Sequence, residues 1–129
     1  MNYYVAKTLS GVQFDDALAL ITAALRDQGF GILTEIDVRK TMKEKLGADF
    51  RNYRILGACN PQFAKRALEA EDKIGTMLPC NVIVQQMPDG AVEVAAVDPV
   101  ASMQAVQNPD LLAIASTVRD RLRAVIDEL

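Results

Sequence analysis

The sequence predicts an α+β domain: a mostly antiparallel five-stranded sheet with two long helices on one face, ordered strand, helix, four strands, helix, with short helices inserted. Three observations carry this reading. A hairpin signal, "CNVIVQQM", "PDG", "AVEVAAV", joins two strands that follow each other directly in the second half of the chain. The earlier strands are separated by helical segments, yet no G-x-G-x-x-G or P-loop follows any of them, which speaks against a doubly wound nucleotide-binding fold. Finally, a long stretch near each end of the chain repeats apolar residues at helical spacing. No repeat, low-complexity tract or linker divides the 129 residues, so one domain, 1–129, with one core is expected.

The elements follow in order. "NYYVAKTL", rich in aromatic and β-branched residues, predicts the first strand. Ser10 and Gln13 fit an S-x-x-Q capping box that opens a helix carrying Phe14, Ala17, Leu18, Ile21, Ala24 and Leu25 on one face, and Gly29 ends it. "FGILTEI" predicts the second strand, and Asp37 is the expected N-cap of the charged helix "VRKTMKEKL", stopped by Gly47. In the third strand, "RNYRILGAC", the residues Tyr53, Ile55, Gly57 and Cys59 share one face because side chains alternate. Asn60 then caps "PQFAKRALEAE", with Pro61 at the first helical position, where its missing N–H is no loss.

After the hairpin, Asp98-Pro99 opens a short helix or turn, and Asn108-Pro109-Asp110 caps the last helix. Leu111, Ala115, Val118, Leu122, Val125 and Leu129 form a seam on that helix, widened by Ile114 and Ile126, which must lie against the sheet or another helix.

Charge and composition exclude several function classes. The net charge is −3, from 14 basic and 17 acidic residues, and no basic run exceeds Arg39-Lys40, so the electrostatic footprint of a nucleic-acid or anionic-lipid partner is missing. "MNYYVAKTLSG" lacks the parts of an export signal, and no segment reaches the roughly 20 apolar residues that span a bilayer. A cytoplasmic location without a membrane partner is the expectation. No histidine occurs anywhere, which removes Ser-His-Asp triads, Cys-His pairs and the commonest zinc ligand sets.

The remaining chemistry centres on two cysteines, Cys59 and Cys80, each followed by asparagine and 21 residues apart, too far for a C-x-x-C pair. Cys59 precedes a helix whose free N–H groups would lower a thiol's pKa, and it equally suits a buried site beside Tyr53 and Ile55. Cys80 opens a strand on the face of Val82 and Val84, with Pro79 fixing its entry. Two sulfurs ending neighbouring strands could pair in redox chemistry, but a shared metal needs two more ligands that neither histidine nor a third cysteine supplies. No metal is assigned and no cofactor is indicated. Asn60 and Asn81 read first as a cap and a strand-start bond to backbone. Glu35, Asp37, Glu93 and Asp98 are the acids placed to reach a cleft at the sheet's end, though no spacing marks a catalytic dyad.

The blocks "GFGILTEIDV", "YRILGACNPQFAKRAL", "MLPCNVIV" and the later "VDP" resemble the bacterial family known as domain of unknown function 302, over nearly the whole chain. The resemblance implies a fold similar to the TATA-binding-protein class, present as a single copy that associates into a homodimer. It brings no catalytic assignment, and likeness of fold would not carry DNA binding with it. Two readings of function follow. In one, a homodimer binds a small molecule in a cleft near the Cys-Asn blocks, with Asn60, Asn81, Glu35 and Asp98 as candidate contacts. In the other, Cys80 with Cys59 performs thiol redox or sulfur chemistry.

Overall fold

The structure, a computed structural model, describes residues 2–129. Strand β1 (Tyr4–Leu9) leads into helix α1 (Phe14–Asp27), strand β2 (Gly31–Asp37), helix α2 (Val38–Leu46) and strand β3 (Tyr53–Cys59). Helix α3 (Pro61–Ala70) and a 3-10 segment, Asp72–Met77, precede strands β4 (Cys80–Gln86) and β5 (Val92–Val97), the short helix α4 (Pro99–Ser102) and the long helix α5 (Pro109–Glu128). All pairings are antiparallel, in the order β1-β5-β4-β3-β2. The fold is the α+β arrangement that the hairpin and the two amphipathic segments predict.

Four helix starts follow local chemistry. The side chains of Asp37, Asn60, Asp98 and Asn108 each accept from backbone N–H groups of the helix they open, and proline stands first in three of those helices. Helix α1 differs from expectation. Its N-cap is Gln13, which makes no side-chain cap bond, and Ser10 lies outside the helix because the chain turns at Gly11 with φ +71°. Its end does follow the glycine signal: Gly29 takes φ +85° and the Phe30 N–H reaches back to the Leu25 carbonyl.

The core lies between one sheet face and the helices α1 and α5. Val82, Val84, Val92 and Val94 from the strands and Ile21, Leu25, Leu122 and Val125 from the helices are fully buried. Each such side chain contributes about 1.5–3 kcal/mol on leaving water. The seam on α5 is thereby accounted for.

On the sheet face opposite α1 and α5, the register arranges the residues in three rows. Thr8, Glu93, Gln85 and Tyr53 form one, and Ala6, Ala95, Ile83, Ile55 and Ile36 form a wholly apolar second that crosses all five strands. In the third, Tyr4 faces Val97, and Asn81, Gly57 and Thr34 lie opposite one another.

Candidate functional site

The β3–β4 ladder brings the two cysteines to one end of the sheet. Ala58 pairs with Cys80, while Cys59, the next residue, pairs with Gly31 on β2. Alternation puts Cys80 on the helix side with Val82 and Val84, where it is buried, and Cys59 ends its strand half-buried. Both border a single cavity of about 290 Å³.

Helices α3 and α5 form the cavity's walls, the ends of β3 and β4 its floor, and Pro99 and Met103 close one side. Among the described residues none that lines it is charged, and the only polar side chains are Asn60 and the two thiols. The space exists because small residues stand where the walls approach: Ala64 and Ala67 on α3, Ala115 on α5, and Ala58 on β3. Phe63, Leu33, Leu68 and Ile114 supply the larger apolar surface. A concave, largely apolar pocket with few polar groups is the usual form of a small-molecule site, and this volume is at the lower end of the common range.

Burial governs the thiols. It pushes the Cys80 thiol up to about 11, with the neighbouring Cys59 adding to the rise, and it raises Cys59 as well. This is opposite in direction to the lowering that the start of α3 is expected to give Cys59. Near neutral pH both are thiols, not thiolates.

The other candidate residues are spread over the molecule. Asn60 borders the cavity, and its Oδ1 accepts from the N–H groups of Gln62 and Phe63 at 3.2 and 3.3 Å. Asn81 is exposed on the sheet face opposite α1 and α5. Glu35 and Asp37 flank the Arg54 guanidinium at 3.0 and 3.3 Å. Asp98 caps α4 and lies 3.6 Å from Arg123, and Glu93 accepts from Gln85 Nε2 at 2.9 Å. Among the described residues no three His, Cys, Asp or Glu side chains gather as a metal ion would require.

Phe63 and Met103 are cavity residues that sequence patterning leaves unmarked, while Ile114 is marked there only as part of the α5 seam. The available signal is the small residues Ala64, Ala67 and Ala115 on the faces of α3 and α5 that line the cavity.

The sequence matches the domain of unknown function DUF302 over residues 5–129. The chain belongs to the DUF302 family. Its fold agrees: the crystal structure of an uncharacterized conserved DUF302 protein from Bacillus stearothermophilus superposes with a TM-score of 0.90 at 29% identity, covering 98% of each chain. No curated protein matches the sequence. The DUF302 fold thus frames the cavity, and membership of DUF302 assigns it no chemistry. Among the described residues no helix is long and apolar enough to cross a membrane.

Proposed function

We propose that this protein binds a small, largely apolar molecule in the cavity beside Cys59 and Cys80, and that it does so as a homodimer. The observation that carries the reading is the cavity itself: about 290 Å³ lined by apolar side chains and open on one side, with no charged residue on its wall among the described residues. That is about twice the ~150 Å³ of an apolar cavity that takes benzene, so the ligand has on the order of ten to a dozen non-hydrogen atoms. Asn60 and the thiols are the polar groups available to orient it. The raised thiol pKa values favour a wall over a nucleophile, because the reactive species would be the thiolate.

The homodimer reading is supported by the sheet face opposite α1 and α5. A five-residue apolar row flanked by one polar row and one mixed row has the make-up of an interface with an apolar centre. The three rows contain no lysine or arginine, so the face offers little to a nucleic-acid backbone.

Calorimetric titration with straight-chain alcohols tests the cavity. Affinity should rise about fourfold for each added methylene until the space is filled, at about ten to twelve heavy atoms, and then fall. Affinity that climbs steadily with chain length, as in partitioning onto an open surface, would overturn the reading. Sedimentation at micromolar concentration should give twice the chain mass of 14.1 kDa, and a single-chain mass would refute the dimer.

A further inference from the structure

The cavity wall is uncharged, but one of its residues carries two cations. Phe63 lines the cavity, and the guanidinium carbons of Arg121 and Arg66 lie 4.9 and 5.7 Å from its ring centroid. They come from different helices: Arg66 from α3, one turn after Phe63, and Arg121 from α5, one turn after Val118, itself a cavity residue. Neither guanidinium has a carboxylate partner among the described residues. Glu69 and Asp110 border the same shallow groove as Arg66, but neither forms an ion pair with it, and Glu69 is held by Lys65 at 2.9 Å. Arg121 donates one bond, to the Gln28 carbonyl at 3.3 Å.

A third donor stands nearby. The Oδ1 of Asn60 is taken by the cap, while its Nδ2 and Arg121 Nη1 lie 2.9 and 3.6 Å from the point a Cβ on Gly29 would occupy. An amide N–H₂ belonging to a cavity residue therefore adjoins a guanidinium with donors to spare. In a chain of net charge −3, two unpaired arginines on one aromatic ring at an apolar cavity form a local site for an anion.

We infer that the cavity's ligand is amphipathic: a short apolar body held among the alanines and leucines, with one anionic group, such as a carboxylate, bound by Arg121 and Arg66 beside Asn60. This rests on the apolar-ligand reading of the same cavity and narrows its ligand class. Arg66 and Arg121 then discriminate among ligands of equal apolar bulk by charge. The volume is too small for a lipid with two long chains.

The test compares three probes of matched chain length: octanoate, octan-1-ol and octylammonium, titrated calorimetrically at pH 7.5 and low salt. Octanoate should bind at least tenfold tighter than octan-1-ol, and octylammonium weaker than either. The octanoate preference should shrink severalfold in 0.5 M NaCl. In the double variant Arg66→Gln/Arg121→Gln, octanoate and octan-1-ol should fall within about twofold of each other. If octan-1-ol binds the native protein as tightly as octanoate, the anionic assignment is overturned and the apolar-ligand reading stands. If neither binds, both fall. The native-protein comparison decides the matter even if the double variant fails to fold.

Discussion

Cys80 faces Ala58 across the β3–β4 ladder, so Cys59 stands one residue beyond the paired position and both thiols border the same cavity. This relationship makes the two cysteines part of one cavity wall. Their surroundings withhold what thiol chemistry needs, since burial raises both pKa values and no histidine exists to accept a proton. A small buried thiol at the sheet's end leaves open space that a larger side chain would take from the cavity.

The Cys80 thiol makes stability depend on alkaline pH. Its pKa is about 11 in the fold against an ordinary 9.0, so the folded state holds the proton more tightly than the unfolded one. The associated stability is fully present below pH 9, and it is lost as pH rises from 9 through 11. The loss should amount to about 2–3 kcal/mol. Denaturant titrations of the native protein and Cys80→Ala at several pH values should show the native curve falling more steeply over that window. Parallel curves would contradict the assigned burial.

Gly57 is required by close approach. A Cβ there would collide with Thr34 Oγ1 and lie 2.6 Å from Pro79 Cγ. Gly57→Ala should cost about 1–3 kcal/mol in a denaturant midpoint experiment, and adding Thr34→Ala should recover only part of it because Pro79 remains. A loss below about 0.5 kcal/mol, the size of an ordinary surface change, would show that the strand end yields freely.

Asn108 joins two helices. Its Oδ1 accepts from the N–H groups of Asp110 and Leu111 at 3.1 and 3.3 Å, while its Nδ2 donates to the Ala70 carbonyl at 2.8 Å, at the end of α3. Asn108→Ala removes a cap and a tie between the cavity's two walls. It should cost about 2 kcal/mol, against about 1 kcal/mol for Asn60→Ala, whose bonds are those of a cap. Equal losses in thermal or chemical unfolding would mean that the link to Ala70 adds nothing.

Much of the fold was legible in local sequence, for reasons tied to particular residues. Asp37, Asn60, Asp98 and Asn108 announce helix starts because a short side-chain oxygen there meets backbone donors within its own turn, and the proline after three of them can do little else. Ser10 and Gln13 matched the same pattern, but Gly11 turned the chain first. The seam of α5 was legible because its apolar face is set by the helical period. The cavity was not, because it arises between α3 and α5, elements some fifty residues apart in sequence, and shows only as alanines at Ala64, Ala67 and Ala115. Nor were Arg66 and Arg121 legible as a pair: only the packing of the two helices puts both on Phe63.

The central claim, an occupied apolar cavity between α3, α5 and the cysteine-bearing strand ends, is tested most directly by following backbone amide resonances while octanoate is added. The account predicts saturable shifts concentrated in residues 58–67 and 111–118, absent in a folded Ala67→Phe variant whose new ring fills the space. Shifts scattered over the surface without saturation, or saturation that survives Ala67→Phe unchanged, would contradict it.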